Sequence, residues 1–284
     1  MATSYFIITR FNIPFIKQEG WERIFSESYL DERYRIFEQY TLPSICKQSD
    51  KEFIWLVLFG NATPEKYRIR NSQLEHICSQ MKAIYVNDAE TENFQSYMDY
   101  LLRSLSKNGT KYIITTRIDN DDCFHYDMVA KVKNAYLKDK TERIISFDWG
   151  VQHIDNTHIT ARIRYPNNHF TSLIEPWDTP IKTVFYCDHF FAEKYTKVEH
   201  IECEPLWLEN LHDSNAVNAV HPQYYEMHTL WSGNLYEYGL SVCYNPIIVI
   251  FSIIAHMPQY LWPILSYKLG LAKLKTFVKK IVRQ

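Results

Sequence analysis

Glycine is scarce in this chain, with 7 in 284 residues, and none falls in a GxxxxGK or GxGxxG arrangement. The glycine-rich loops on which nucleoside triphosphatases and dinucleotide-binding proteins seat phosphate are therefore missing, and any phosphate held here needs another anchor. The six cysteines, Cys46, Cys78, Cys123, Cys187, Cys203 and Cys243, form no CxxC pair. That removes the zinc-ribbon and thiol-redox spacings and leaves buried free thiols in a reducing cytosol as the expectation. The start, MATSYFIITRF, has no basic stretch followed by a long apolar one and passes straight into a strand-like pattern, so no signal peptide is expected. Acidic residues are missing from 268–284, which carries Lys268, Lys273, Lys275, Lys279, Lys280 and Arg283. Taking those six from the 31 basic residues leaves 25 against 33 acidic ones upstream, a formal −8. An acidic body with a basic tail argues against a nucleic-acid-binding main domain.

What is present is apolar and aromatic: 46% hydrophobic and 15% Phe, Trp and Tyr, enough for an ample core. Strand-like runs at Tyr5–Thr9, Phe53–Phe59, Ala83–Val86, Lys111–Ile118 and Arg143–Phe147 alternate with helical patterns. Those patterns are Asp31–Cys46, bent or ended near Pro43, a helix from Thr63-Pro64-Glu65 to about Met81, Gln95–Ser106, and a helix starting near Cys123. The alternation predicts an α/β fold, a mostly parallel Rossmann-like sheet with helices on both faces. From Trp149 to Glu204 aromatics, His and Pro are dense and short β runs such as Thr183–Tyr186 appear. That half suits a saccharide-binding surface, since aromatic faces stack on sugar rings. Phe170, Ser172, Trp177, His189 and Trp207 are its candidate contacts.

Lys111–Asp122 is the most informative stretch, because a β-branched run ends abruptly at Asp119, Asn120, Asp121 and Asp122. Close carboxylates repel one another, and a divalent cation with a taste for oxygen removes the problem. Two readings stand on these residues alone. One is the metal-diphosphate station of a nucleotide-sugar glycosyltransferase; the other is a turn whose last Asp caps the next helix. The two are compatible if Asp119 and Asp121, two apart on an extended backbone, face a metal while Asp122 caps the helix from Cys123. Polar residues also end the first, third and fourth strands, so Thr9, Arg10, Asn87, Asp88 and Asp119–Asp122 can meet at one crevice. Arg117 either offsets diphosphate charge or pairs with Asp119.

ITTRIDNDD with a following helix, FTSLIE at Phe170–Glu175 and WLENLHDSNAVN at Trp207–Asn218 resemble the bacterial rhamnosyltransferase family, whose members look like GT-A-type glycosyltransferases. The similarity runs from about Tyr5 to about Val220. It implies a nucleotide-diphosphate-sugar donor and a DxD-like motif on Asp119 and Asp121, with Asp122 beside it. Mn²⁺ or Mg²⁺ would sit there, and His212 matches the late His that completes the metal shell. Asp213-Ser214 follow where the family has small residues, which leaves the role of Asp213 open. Thr9, Arg10 and Phe11 would lie near base and ribose, Asp88 would accept a hydroxyl, and Arg117 and Asn120 would flank Asp119. An inverting enzyme needs a base, for which Glu175, Asp188, Glu209 and Asp213 are the candidates; Asp188 would end a strand at Val184–Cys187. The acceptor would be a glycan or lipid-linked saccharide of surface polysaccharide synthesis, and the residues select no donor sugar. A metal-dependent nucleotidyltransferase or phosphohydrolase, and a non-catalytic carbohydrate-binding protein, are the competing classes.

Between Glu237 and Lys268 there is no charged residue, and Ile247–Ile254 is nearly all apolar. Asn245, His256, Pro258, Gln259 and Pro263 interrupt the segment, so it falls short of the ~20 apolar residues a span needs. In 268–284, Leu271, Leu274, Phe277, Val278, Ile281 and Val282 share one helical side opposite the basic residues. Such a helix lies on an anionic membrane surface or docks on the acidic body. The expected organisation is a catalytic domain at 1–236, with a nucleotide-sugar half at 1–148 and an acceptor half at 149–236, then an extension at 237–284. The expected location is cytoplasmic, peripheral on the inner membrane face.

Overall fold

The computed structural model describes residues 2–14, 20–154, 159–212, 225–230 and 235–240, together with 247, 250, 251, 254, 255, 262 and 265–271. The chain runs β1 (Ala2–Asn12), α1 (Glu27–Gln39), α2 (Thr41–Cys46), β2 (Ile54–Gly60), α3 (Glu65–Ile77), β3 (Met81–Val86), α4 (Asp88–Glu92), α5 (Phe94–Leu105) and β4 (Thr110–Arg117). It continues through β5 (Cys123–Phe124), α6 (Met128–Lys138), β6 (Arg143–Phe147), β7 (Trp149–Ile154), β8 (Ile159–Arg164), β9 (Ser172–Pro176), β10 (Val198–Ile201), β11 (Trp207–Leu211) and β12 (Tyr225–Leu230).

A seven-stranded sheet has the order β10-β6-β9-β4-β1-β2-β3. β4, β1, β2 and β3 are parallel neighbours, β10 and β6 pair in parallel, and β9 is inserted antiparallel between β4 and β6. Tyr5–Ile8 of β1 and Ile54–Phe59 of β2 are unbroken apolar runs because both faces are covered. Phe6, Ile8, Leu56 and Leu58 pack with Met98 and Leu102 of α5, while Tyr5, Ile7, Trp55, Val57 and Phe59 pack with Tyr34 and Phe37 of α1 and Leu74 of α3. This is the mostly parallel α/β architecture that the sequence pattern predicts.

The second sheet, β12-β8-β7-β11-β5, is mostly antiparallel. Asp148 alone separates β6 from β7, so the chain crosses from the large sheet to the small one in a single residue. That carboxylate is buried and held by His200 Nδ1 at 2.8 Å and Arg164 Nη2 at 3.0 Å.

Several local expectations are corrected. The helix expected over Asp31–Cys46 is two helices broken at Tyr40, and Pro43 lies in the first turn of the second, where its missing N–H has no helical partner to lose. No helix starts near Cys123: Cys123 and Phe124 are instead paired with Leu208 and Trp207 of β11, and α6 begins at Met128. The strand expected at Val184–Cys187 is a turn. Thr183 has a φ of 64°, the Glu175 carboxylate accepts from the Lys182 and Thr183 N–H groups, and the Val184 N–H donates to Thr115 Oγ1. Side chains thus satisfy backbone groups that a sheet would otherwise use.

The body extends past residue 236. Leu235, Tyr238 and Leu240 are buried with Ile36, Tyr40 and Cys123, and a Cβ at Gly239 would meet the Pro43 backbone at 2.7 Å. Among the described residues no helix is long and apolar enough to cross a membrane.

Candidate active site

The fourth strand carries the chain to the site. Ile113–Thr116 are buried, Arg117 is the last residue of β4, and the backbone then turns through Asp119–Asp122, with a 3.4 Å hydrogen bond from the Asp122 N–H to the Asp119 carbonyl. Two antiparallel partners flank this turn. On one side Ser172 of β9 lies opposite Thr116 and the Arg117 N–H donates to the Thr171 carbonyl, so extending the register brings His169 level with Asp119. On the other, Leu208 of β11 lies opposite Cys123, which brings Glu209 level with Asp122, and the Asn210 N–H donates to Asp122 Oδ1 at 3.0 Å.

Side chains at the turn divide into two groups. His169 Nε2 is 3.0 Å from Asp122 Oδ2 and 4.0 Å from Asp119 Oδ2, and one ligand atom from each of the three lies within 4.8 Å of the others. Asp121 belongs elsewhere: its Oδ2 is 3.0 Å from His212 Nε2 and 3.3 Å from Arg33 Nη2, and Arg33 also donates to Asn120 Oδ1. Asp119 is gripped at two points by Arg117, Nε to Oδ1 at 3.0 Å and Nη2 to Oδ2 at 2.8 Å. The Arg10 and Arg117 guanidinium groups both lie against the Phe185 ring, at 4.7 and 5.8 Å.

Burial and crowding set the charges. Burial alone would raise the Asp119 carboxyl, but Arg117, His169 and Arg10 hold it well below the ordinary carboxylate range. Asp122, fully buried, goes the other way: burial, then the charges of Asp121 and Asp119, push it well above that range. Burial also lowers the His169 imidazole, and it lowers His189 to about 4 with help from His169 and Arg117. It pushes Glu209, bonded to Gln152 Nε2 at 2.6 Å, up to about 7. A buried carboxyl raised by like charges and facing a neutral imidazole is short of a cation. Two carboxylates and one imidazole form a donor set that fits Mn²⁺, and the carboxylates suit Mg²⁺.

The predicted residues separate accordingly. The pairing of Asp119 with Asp121 assumed an extended backbone; in a turn, residues three apart converge, so Asp122 joins Asp119 and His212 goes with Asp121. Asp122 is not a helix cap, since its carboxylate takes the Asn210 N–H, and the N-cap position of α6 is Asp127. Thr9 and Phe11 face the core: Thr9 Oγ1 accepts from Trp55 Nε1, and the Phe11 ring packs on Tyr34, Phe37 and Phe59. Arg10, on the other face of β1, is the member of that trio near the acidic turn; Phe11 offers Asn120 its carbonyl at 3.1 Å. Asp88 opens α4, which Asn87 caps reciprocally with Glu90. Its strand is three places from β4, about 14 Å at the usual ~4.8 Å between strands.

Glu175 pairs with Ile113, away from the turn, and both of its oxygens accept from backbone N–H groups. Phe170, Ser172 and Trp207 are fully buried. The Phe170 and Trp207 rings stack 4.7 Å apart, and Ser172 Oγ bonds Thr116 Oγ1 at 2.6 Å. Trp177 lies under the Arg103 guanidinium of α5, at 4.8 Å. His189 does lie by the site, its ring 6.0 Å from that of His169. Exposed Asp188 precedes it and accepts from the Phe190 N–H at 2.9 Å. Asp213 lies outside the described residues.

Sequence reasoning omits Arg33 and His169. Arg33 had a visible sign, being a charged residue on the helical face of Leu30, Tyr34 and Phe37, all buried. His169 had none, because only the antiparallel pairing of β9 with β4 brings it to the turn.

Residues 7–224 match the family described as "Putative rhamnosyl transferase", and the chain belongs to that family. A search of curated proteins returned no match. Among solved structures the chain is similar to S. aureus TarS, with 11% identity and a TM-score of 0.40 over 74% of this chain and 37% of that one. It is also similar to S. aureus TarS 1–349 in complex with UDP, with 10% identity and a TM-score of 0.40 over 74% and 61%. Mouse xyloside xylosyltransferase 1 in its apo form matches with 10% identity and a TM-score of 0.29 over 51% and 52%. The chain spans less than two thirds of the length of each of these proteins.

Proposed function

We propose that this protein is a metal-dependent glycosyltransferase that moves a sugar from a nucleoside-diphosphate-sugar donor to a saccharide acceptor. The observation that carries the reading is the gathering of Asp119, Asp122 and His169 within 4.8 Å, with Arg10 and Arg117 alongside. Such a group attracts a cation on one side and an anion on the other, and a metal-bound diphosphate satisfies both. Membership of a sugar-transferase family supports the same class.

Asp119, Asp122 and His169 would hold Mn²⁺ or Mg²⁺, which when bound supplies positive charge to a diphosphate leaving group. Arg10 and Arg117 add fixed positive charge from two neighbouring strands. The nucleoside extends along the carboxyl edge of the sheet toward Asp88. The acceptor enters beside Asp188 and His189, where the exposed Phe190 ring, 4.2 Å from that of His189, offers a face for a sugar ring. We place the reaction at the cytoplasmic membrane face, on a glycan or lipid-linked saccharide of surface polysaccharide synthesis, with the basic 268–284 segment toward anionic lipid.

Glu209 is the base this arrangement favours, because β11 brings it level with Asp122 beside the metal group and burial raises its carboxyl to about 7. Glu209→Gln is expected to lower turnover by roughly 10²–10⁴-fold while metal-dependent UDP binding is kept. A base works ionised, so kcat/KM of the parent should rise with pH and level off above about 7. If Asp188→Asn gives the large loss and Glu209→Gln does not, the role passes to Asp188. The class itself is tested with a panel of nucleotide sugars, assayed for Mn²⁺-dependent binding and hydrolysis. Release of nucleoside diphosphate is expected; failure of every donor to bind with metal overturns the reading, and cleavage at phosphorus assigns the chain to nucleotidyl transfer or phosphohydrolysis.

A further inference from the structure

The stretch ahead of the basic tail presents apolar side chains to solvent. Ile247, Ile250, Phe251 and Ile254 are helical and exposed, at 62%, 57%, 68% and 59% of their full surface. Offsets of three, four and seven set them on one helical face. Trp262, Leu265 and Leu269, offset by three and seven, are likewise exposed. The sequence has no Asp, Glu, Lys or Arg from Tyr238 through Tyr267, and from Lys268 onward its charged residues are all basic. Large exposed apolar side chains grouped in this way mark an interaction surface.

We infer that the exposed face of Ile247, Ile250, Phe251 and Ile254, continued by Trp262, Leu265 and Leu269, seats in the interfacial layer of an anionic lipid bilayer. The order of chemistry along the chain selects this occupant. Apolar side chains suit the acyl boundary, Trp262 and Tyr267 suit headgroup depth, and the six basic residues that follow complement anionic headgroups. Asn245, His256, Pro258, Gln259 and Pro263 interrupt the apolar run, which favours a segment lying along the bilayer over one crossing it. The inference extends the membrane reading of 268–284 by giving the apolar part of the attachment to a separate segment, and it makes no use of the proposed catalysis.

The test is flotation of the full chain with vesicles of phosphatidylcholine alone and of phosphatidylcholine mixed with phosphatidylglycerol. The parent protein is expected to float with the mixed vesicles. Ile250→Asp with Phe251→Asp should lower vesicle partition by roughly 10²-fold, as loss of two buried large side chains implies, with the unfolding temperature unchanged because both are exposed. Lys279→Gln with Lys280→Gln should weaken binding to the anionic vesicles alone, as high salt should. Parent protein that stays unbound to both vesicle types, or an aspartate pair that floats as well as the parent, overturns the inference. So does a fall from dimer to monomer mass in the aspartate pair without vesicles, which would make the face a self-association surface. Donor binding is measured separately, so failure here is distinct from failure of the transferase reading.

Discussion

If the proposed metal site holds, Asp122→Asn is expected to lower metal-dependent nucleoside-diphosphate binding and turnover by ~10²-fold or more, at or beyond the upper end of losses seen for groups behind metal ligands, and to raise the thermal stability of the metal-free protein. The opposite signs come from one cause. Asp122 is fully buried among Asp119 and Asp121, and its carboxyl is pushed well above the ordinary range. A carboxyl whose folded pKa is raised contributes stability that is complete below its unfolded value, about 3.9, and is lost as pH rises toward and through the folded one. At neutral pH burying Asp122 therefore opposes folding, since it must be held there either charged or protonated where the unfolded chain is not, and Asn, of the same shape and with no proton to titrate, does not. The gain should be absent near pH 4 and grow toward pH 8, at roughly 2–4 °C for each ~1 kcal/mol relieved. Thermal melts in chelator at both pH values decide it. A variant less stable at pH 8 would show that Asp122 serves chiefly as the acceptor for the Asn210 N–H.

Trp207→Ala should cost about 3–5 kcal/mol, the range for removing a large buried aromatic, and lower the melting temperature by roughly 10 °C. The ring is fully buried, lies 13° from parallel with Phe170, and donates from Nε1 to the Phe147 carbonyl at 2.8 Å. Gly150, on the neighbouring β7, is shaped to it: a Cβ there would stand 2.2 Å from the indole. Gly150→Ala should therefore be damaging as well, by overpacking. Combining the two should cost clearly less than the sum of the single changes, because removing the ring makes room for the methyl group. Strict additivity in denaturant titrations would sink this account. Activity should fall with stability in Trp207→Ala, since Glu209 lies on the same strand and His212 just beyond it.

Five strands of the large sheet were legible, most plainly β2, whose buried Trp55–Phe59 reads as an unbroken apolar run, whereas β9 and β10 were not. The small sheet was not, since its strands are short and alternate little. Thr183–Cys187 shows the limit of composition: TVFYC reads as a strand, yet Glu175 and Thr115 bond its backbone into a turn. At the site, the acidic cluster was legible as a cluster. Which carboxylates act together was not, because that depends on whether four residues extend or turn. The aromatic residues assigned to the acceptor were mostly core, as Trp207 and Phe170 show. Phe190, exposed beside His189, carries no mark in sequence that sets it apart from them.

The site is assembled from Arg10, Arg33, the turn at Asp119–Asp122, His169 and the segment from Glu209 to His212, and the last of these joins the small sheet only when β11 docks against β5 and β7. Its contacts thus join residues that lie most of a domain apart in sequence, which places their formation late in folding, after the local α/β units. A ribosome-bound chain that ends short of His212 has the acidic turn but lacks the partners that complete it. Until Glu209–His212 is made, Asp121 lacks His212 and Asp122 lacks the Asn210 N–H, so these contacts form only after the rest of the site is in place.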